Sequence, residues 1–345
     1  MSKITMKDVA QKAGVSPSTV SLVLSGKGTF SDDVRNKVYK AARKLDYIKS
    51  IHTPSIAAKQ ISHIAILVCE DYEKAFEWNF VRRMLINLES EITQKHYYPV
   101  LVPVTLAQDI REIFEKIVLA KVGAVLSIHY ANATLFRQLE QQGLPVVLIN
   151  NYENGDRFYT VCADVMDGGY KAVQHLLDHG HRRIAVMDYH RRDMPMLVED
   201  VFWGFKKALD RENVAFPAHY RVTVNLYDEE ELQQKLRVLF QQTESLPTAI
   251  FAHDDYFAAR ILSAFQRLGI RVPDDVSLTA LGDTLDYQQP FIPKITTARL
   301  NNELLGKIAG EMILKRLKDG QSEHVDVLKV NYQLHDRGSS RKIRG

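Results

Sequence analysis

The chain has 345 residues, of which 46% are hydrophobic and 25% charged, and a formal net charge of +3. This is the composition of an ordinary soluble protein, long enough for two or three domains. Its two cysteines, Cys69 and Cys162, exclude a disulfide framework and a cysteine-based metal cluster. No apolar run approaches the ~18 residues of a membrane helix, and the first residues lack the apolar stretch of a secretory signal, so we expect a cytoplasmic protein.

The charge is unevenly distributed along the chain. Residues 1–62 carry 11 Lys and Arg against four acidic residues, a net charge of +7. The rest of the chain carries 34 basic and 38 acidic residues, a net charge of −4. A basic segment joined to an acidic body indicates a polyanionic partner for the basic segment. A solvated basic face without such a partner is the alternative that charge alone leaves open.

The basic segment is predicted to form three short helices. The first covers Met6–Ala13 and ends at Gly14, where a helix often needs a residue with positive φ. The second follows Ser16 as N-cap with Pro17 at its first position, and the third follows Ser31. Two helices joined by a tight turn with a glycine, and closed by a third, are typical of a helix-turn-helix. A plain three-helix subdomain is the alternative that spacing alone leaves open.

The remainder of the chain alternates apolar strands with amphipathic helices. The predicted strands cover residues 64–68, 99–104, 124–128, 146–149, 184–187, 220–224, 249–252 and 277–281. The predicted helices cover residues 80–95, 110–119, 135–142, 168–179, 201–211, 230–241 and 256–268. This alternation predicts right-handed βαβ units and parallel sheets. Because the pattern restarts after Asp164, we expect two similar lobes with a cleft between them.

Sequence blocks along almost the whole chain resemble the lactose-repressor/galactose-repressor family of bacterial transcriptional regulators. In chain order they are KDVA (7–10), AGVS (13–16), TVS (19–21), HLLDHGHRRIA (175–185), WGF (203–205), FAHDD (251–255), GIRVPDDVS (269–277), PKITT (293–297) and RGSS (337–340). The resemblance implies an all-α helix-turn-helix head joined by a hinge to a two-lobed α/β body of the periplasmic-binding-protein-like type.

The resemblance also implies domain limits. The expected divisions are 1–48 for the DNA-binding domain, 49–63 for the hinge, 64–336 for the effector-binding and dimerisation body, and 337–345 for a basic tail. Lobe 1 is expected to take residues 64–163 and 292–324, and lobe 2 residues 164–291 and 325–336. Candidate dimer surfaces are the apolar positions of the helix after Asp255 and the segment 285–292, although packing inside a lobe explains the apolar positions equally well.

For the head, the resemblance implies a set of DNA-contacting residues. They are Thr5, Ser16, Pro17, Ser18, Thr19, Ser21, Leu22, Ser31, Arg35 and Ile56. Leu22 stands where relatives most often have Arg or another polar residue, so it offers only apolar contact, for example to a thymine methyl. A partly buried position is the alternative for Leu22. In the hinge, Ile56 falls where relatives place a Leu in the minor groove, and Pro54 suits the first turn of a displaced helix; a disordered linker is the alternative.

For the cleft, the family pattern matches only in part. The candidate effector-binding residues are Tyr72, Trp78, Asp164, Val201, Tyr227, Asp254 and Asp283. Val201 stands where relatives have an Arg, and Gly282 where they have the first Asp of a turn. Each aromatic candidate is explained as easily by packing. We therefore expect a carbohydrate-like effector whose identity the sequence leaves open.

These expectations combine into a sequence-specific DNA-binding regulator, most simply a repressor. It would bind a palindromic double-stranded DNA operator as a homodimer, associated with the nucleoid and away from membranes. The alternative is a regulator that works without a ligand or through a partner protein, with a vestigial cleft. No hydrolase, kinase or metalloprotease motif occurs, so we expect no enzyme and no cofactor. We also expect no metal, because the clustered His175, His179 and His181 have no cysteine or carboxylate at ligand spacing.

Overall fold

The computed structural model describes residues 5–24, 30–45, 47, 63–69, 75–151, 157–190, 195–241, 245–320 and 325–343. The chain forms two compact units, Met1–Ile61 and Ser62–Gly345. We call them the head and the body and describe each by itself.

The described residues of the head form three helices, as predicted. They are α1 (Met6–Ala13), α2 (Pro17–Leu24) and α3 (Asp32–Lys44). Gly14 ends α1 in the left-handed region, with φ 67°, and its N–H donates to the carbonyl of Ala10. The three helices share a small core of Val9, Ala10, Ala13, Val20, Val23, Val38, Ala41 and Ala42. The core is built from short side chains, so the helices pack closely.

In the part of the body that the structure describes, the strands form two six-stranded sheets. The strands are β1 (His63–Cys69), β2 (Tyr98–Val104), β3 (Ala124–Ile128), β4 (Val146–Ile149), β5 (Tyr159–Ala163), β6 (Ile184–Tyr189), β7 (Arg221–Val224), β8 (Ala249–Ala252), β9 (Ser277–Leu281), β10 (Thr296–Leu300), β11 (Val327–Val330) and β12 (Tyr332–His335). The first sheet has the order β11-β5-β4-β3-β1-β2 and is parallel throughout. The second has the order β12-β10-β9-β8-β6-β7, with β12 antiparallel to β10. Strands such as β3, β4 and β8 are buried along their whole length, which explains their unbroken apolar runs.

Helices connect and cover these sheets. They are α4 (Ala75–Thr93), α5 (Ile110–Leu119), α6 (Ala133–Gln141), α7 (Val165–Asp178), α8 (Pro195–Arg211), α9 (Glu229–Gln241), α10 (Asp255–Leu268) and α11 (Asn302–Asp319). Lobe 1 is the first sheet with its helices, including α4 and α11, which pack on each other. Lobe 2 is the second sheet with its helices, including the packed pair α7 and α8. None of the described helices combines the length and apolar composition needed to span a membrane.

Several observed elements differ from the predicted ones. β5 lies directly before Asp164, where no strand was predicted, and α4 and α8 begin earlier than expected. β10 belongs to the second sheet, so the chain crosses to lobe 1 after Leu300 and not near residue 291. β11 pairs with β5 in the first sheet, so the last crossing comes after Val330 and not near residue 324. Where the chain crosses between the lobes depends on which strands β10 and β11 pair with. These partner strands lie far away in the sequence, so the crossing points could not be predicted locally.

The predicted dimer surface on the helix after Asp255 is wrong for most of its apolar positions. Phe257, Ile261 and Phe265 are buried in the core of lobe 2, because α10 packs its apolar face against the second sheet. The segment 285–292 differs, since the side chain of Phe291 is 77% exposed. Both cysteines are buried, and neither forms a disulfide.

Candidate functional site

The start of α2 is held by the hydroxyl of Ser16. Ser16 Oγ accepts a hydrogen bond from the backbone N–H of Thr19 at 3.0 Å, as an N-cap does. The hydroxyls of Ser18 and Thr19 lie 2.7 and 2.8 Å from the same oxygen. Pro17 opens the helix with no N–H that needs a partner. The N-terminus of α2 is thus a polar, hydroxyl-rich surface, the kind of helix end that binds phosphate.

The outer face of α2 is available to a partner. Val20 and Val23 point into the core of the head, whereas Ser18, Ser21 and Leu22 lie at the surface. Leu22 is 40% exposed, so the partly buried alternative does not describe it. A short helix with small outward side chains fits into the major groove of DNA.

The other predicted contact residues of the head also lie at its surface. Thr5 caps α1, and both its N–H and its hydroxyl donate to Asp8 Oδ2 at 2.7 Å. These hydrogen bonds, the one from the hydroxyl most strongly, lower the pKa of Asp8. Ser31 stands at the start of α3, where its carbonyl accepts from the N–H of the exposed Arg35 at 3.1 Å. Ile56 and the predicted hinge lie outside the described residues.

In the body, the two sheets meet at Asp164. This residue alone separates β5 of lobe 1 from α7 of lobe 2. Because α7 leads into the amino end of β6, its own start lies at the carboxyl ends of the second sheet's parallel strands. The carboxyl edges of both sheets therefore converge here, and ligands of parallel α/β sheets bind at such edges. We call this region the cleft. Asp164 is half-buried and caps α7, with Oδ1 accepting from the N–H of Asp167 at 3.1 Å.

Asp254 follows β8 at the same edge of lobe 2. Its Oδ1 accepts from the backbone N–H of Phe257 at 2.7 Å and so caps α10. Its Oδ2 accepts from the hydroxyl of Tyr189, the last residue of β6. The carboxylate is therefore already bonded on both oxygens. Tyr189 was not predicted from the sequence, although its position at the end of a strand was a usable signal.

Asp283 follows β9 and is buried among cations. Its Oδ1 lies 2.5 Å from Arg337 Nη2, and its Oδ2 lies 3.2 Å from Arg299 Nε. Arg83 of α4 reaches the same carboxylate at 3.9 Å from the other lobe. Asp283 thus joins both lobes and the segment after β12, which is a structural role.

Asp255 fixes the loop that follows Asp283. Its carboxylate is fully buried and accepts from Thr284, through the N–H at 2.9 Å and the hydroxyl at 2.6 Å. It also accepts from the N–H of Leu285 at 3.0 Å and from the hydroxyl of Tyr287 at 3.1 Å. Burial raises the pKa of Asp255 to about 6, against the effect of these hydrogen bonds.

The remaining cleft candidates separate into different environments. Val201 is completely buried in the core on α8. Tyr227 follows β7 and is 56% exposed at the carboxyl edge of lobe 2. Tyr72 lies outside the described residues, and Trp78 lies on α4 with a side chain that is also outside them. Of the predicted set, the structure thus brings Asp164, Tyr227, Asp254 and Asp283 to the carboxyl edges of the sheets.

A buried polar pair lies at the ends of β6 and β8. Asp188 is fully buried, and neither of its oxygens has a hydrogen-bond partner among the described residues. The nearest basic side-chain atoms among the described residues are His253 Nδ1 at 3.6 Å and Arg221 Nε at 3.7 Å. A buried carboxylate without donors is costly, so this position is suited to a donor from outside the protein chain.

Comparison with known proteins gives a consistent result for both units. Residues 5–50 match the bacterial regulatory proteins of the lacI family, and residues 173–340 match the periplasmic binding protein-like domain. The chain is 25% identical over 342 residues to the HTH-type transcriptional repressor PurR of Vibrio vulnificus (strain CMCP6), a match that covers 98% of this chain and 99% of the relative.

Two solved structures share the fold. The transcriptional regulator CelR in complex with cellobiose matches with a TM-score of 0.68 and 22% identity, covering 98% of this chain and 100% of the other. The lac repressor dimer bound to operator and the anti-inducer ONPF matches with a TM-score of 0.63 and 21% identity, covering 99% and 100%. Because its head matches the lacI family, its body matches the periplasmic binding protein-like domain, and a PurR repressor aligns with almost its whole length, the chain belongs to the lacI family of bacterial regulatory proteins.

Proposed function

We propose that the protein is a transcriptional repressor that binds a palindromic DNA operator through its head, in the cytoplasm. The observation that carries this proposal is α2, a short helix with a capped, hydroxyl-rich N-terminus and an exposed Leu22, of the kind that lies in a major groove. The name of the Vibrio vulnificus relative and the operator in the lac repressor structure support it.

Selection of bound sequences from a pool of random DNA duplexes tests the proposal. We expect the full-length protein to enrich one inverted repeat whose half-sites are about one helical turn apart. If no sequence is enriched, the proposal of sequence-specific DNA binding is contradicted. If a single asymmetric site is enriched, the proposal that two heads bind two half-sites is contradicted.

Two matched N-cap variants show whether α2 carries the binding. Ser16 Oγ caps α2 and Asn132 Oδ1 caps α6, each accepting one backbone N–H at 3.0 Å. Each replacement by Ala removes a cap that contributes about 1 kcal/mol. We expect Ser16→Ala to weaken binding to the selected duplex and Asn132→Ala to leave it unchanged. Equal losses in both variants would point to general destabilisation and against a reading role for α2.

We further propose that the repressor is a homodimer joined through its bodies. A single head of this size has few base contacts, so useful affinity requires two heads on two half-sites. The exposed Phe291 in the segment 285–292 is our candidate for part of the dimer surface. Sedimentation of the full-length protein at micromolar concentration is expected to show a dimer, and Phe291→Asp is expected to shift it toward monomer.

We propose a hydroxyl-rich, carbohydrate-like effector in the cleft. Asp164 supplies an acceptor, the exposed ring of Tyr227 supplies an apolar face, and the buried Asp188 lacks donors among the described residues. The cellobiose bound to CelR supports this class of ligand. Such an effector acts only through different affinities for the DNA-binding and non-binding arrangements.

Thermal unfolding with a library of sugars tests the effector. A ligand at 100 times its Kd adds about 2.7 kcal/mol of stability. Asp164→Asn is the informative variant, because Asn still caps α7 but lacks the charge. We expect a sugar to raise the melting temperature of the wild type and to raise that of Asp164→Asn less.

A regulator without a ligand is the second candidate function. Two observations favour it. The carboxylates of Asp254 and Asp283 already bind other side chains and backbone groups of the protein, and Val201 is buried in the core, where it cannot contact a ligand. If no sugar changes either stability or operator binding, while selection still yields an inverted repeat, this candidate replaces the effector proposal.

A further inference from the structure

Two histidines and one aspartate come together at the far end of α7. His175 and His179 are one turn apart near the C-terminal end of this helix, so their side chains lie on the same face. Their ring centroids are 4.1 Å apart. Asp336, directly after β12, brings a carboxylate to the same place, and one possible ligand atom from each residue lies within 4.8 Å of the others.

Hydrogen bonds hold each of the three side chains by one atom. His175 Nε2 lies 2.7 Å from Ser340 Oγ, and His179 Nδ1 lies 2.8 Å from the carbonyl oxygen of His175. Asp336 Oδ1 accepts from the hydroxyl of Thr296 at 2.9 Å and from the N–H of Gly338 at 3.0 Å.

These bonds leave the opposite atoms, His175 Nδ1, His179 Nε2 and Asp336 Oδ2, for another ligand. A histidine that donates one ring N–H to a carbonyl or hydroxyl presents the other nitrogen as a lone pair. This is the arrangement found around metal-bound histidines, where the outer partner fixes the tautomer and the ring orientation.

The cluster is separate from the cleft. α7 has 14 residues, so its end is about 20 Å from Asp164 at its start. His175 is buried, His179 is half-buried and Asp336 is exposed, so the cluster opens to solvent on one side. An ion entering there would keep at least one water ligand.

We propose that His175, His179 and Asp336 form a site for a divalent transition metal ion of the zinc, nickel or cobalt class. Two imidazoles and one carboxylate are the ligand set of many three-residue zinc sites with an open fourth position. Imidazole ligands favour these ions over magnesium and calcium, which prefer oxygen. The bound ion would fasten the segment from Asp336 to Ser340 onto α7. Such a site would reverse the expectation of no metal from the sequence, in which Asp336 could not be recognised as a partner of the histidines because it comes from the far end of the chain.

Cobalt absorption provides the first test. Full-length protein without a histidine tag, stripped with a chelator, is titrated with Co²⁺ and then with Zn²⁺. We expect one equivalent of Co²⁺ to give visible d–d bands that Zn²⁺ abolishes, and Zn²⁺ to raise the melting temperature. A wild-type protein that shows no saturable cobalt spectrum overturns the proposal, whatever the variants do.

Three variants locate the site. His179→Gln and Asp336→Asn each remove one ligand, and Asp336→Asn keeps an oxygen for Thr296 and Gly338. We expect each to weaken Zn²⁺ affinity at least tenfold. His219→Gln is the matched control, because His219 is exposed on the turn before β7 and is not part of the cluster, and it should bind as the wild type does. Wild-type affinity in both ligand variants, with metal-free melting confirming that they fold, would overturn the proposal.

Discussion

Leu22 is an apolar side chain at a position of the head that is predicted to contact DNA bases. It is exposed on α2 but has no donor for a base edge. We predict that Leu22→Arg shifts preference toward guanine at one symmetric pair of half-site positions, by ~1–3 kcal/mol per half-site. Parallel selections with wild type and variant measure this. Unchanged half-site preferences would mean that α2 does not read bases in this register.

Asp255 gives the body a pH dependence of defined sign. Its pKa is about 6 in the folded protein, raised by burial above its ordinary value of 3.8. The folded state therefore holds this proton more tightly than the unfolded state. The associated stability is fully present below pH 3.8 and is lost as the pH rises through 6, amounting to about 3 kcal/mol at neutral pH.

Asp255→Asn should remove this dependence, because the amide remains neutral throughout. We predict that the free energy of unfolding of the variant, relative to wild type, rises between pH 4 and pH 7 in urea titrations. Asp210→Asn, at an exposed position of α8, is the control and should track the wild type. A constant difference between Asp255→Asn and wild type would show that this carboxyl does not titrate as described.

At the scale of elements, each lobe depends on one pair of helices packed through glycine. A Cβ on Gly204 of α8 would lie 2.2 Å from the carbonyl oxygen of Met166 on α7. A Cβ on Gly306 of α11 would lie 2.3 Å from the carbonyl oxygen of Met84 on α4. In both lobes the obstacle is backbone, so the helices would have to separate.

Gly306→Ala should therefore destabilise lobe 1 in spite of alanine's higher helix propensity. We predict a loss of about 1–3 kcal/mol, typical of an overpacked core, measured by urea unfolding. Gly310→Ala on the same helix is the matched comparison and should cost less, since its nearest contacts would be Cβ and Cγ of Glu91 at 2.9 Å, farther away than the backbone oxygen that faces Gly306. A larger loss of stability in Gly310→Ala than in Gly306→Ala would contradict the claim that backbone contact at Gly306 sets the packing of α11 on α4.

Local signals in the sequence predicted most helices and strands, but they did not predict where the chain crosses between the lobes. The strands 124–128, 146–149, 249–252 and 277–281 and the helices α1 and α5 have the predicted limits, since apolar runs and caps define them locally. β11 and β12 carry mostly exposed side chains, so they lack the apolar run that marks a buried strand.

The candidate site was also predicted only in part. Asp164 and Asp254 were predicted from the family pattern, and the structure places both at helix starts. The hydrogen-bond and ion-pair partners of the site residues were not predicted, because these partners lie far away in the sequence. Tyr189 donates to Asp254, Arg337 and Arg83 pair with Asp283, and Asp336 joins His175. Side-chain partners brought together by the sheets cannot be inferred from spacing.

At the scale of the whole molecule, a basic head is joined to an acidic body. The net charge of +7 in residues 1–62 favours a polyanionic partner for the head. Each phosphate neutralised adds about −0.9 to the slope of log K against log salt concentration. Two heads on one operator should therefore give a slope steeper than about −3.

The salt dependence of operator affinity is the most direct test of this account. It is measured by fluorescence anisotropy on the selected duplex, with wild type, Arg35→Ala in the head and Lys95→Ala at an exposed position of the body. We predict a steep slope for wild type and Lys95→Ala, and a slope shallower by about 1 per head for Arg35→Ala. A wild-type slope shallower than about −3, or one that Arg35→Ala leaves unchanged, would contradict the claim that the head binds the DNA backbone as described.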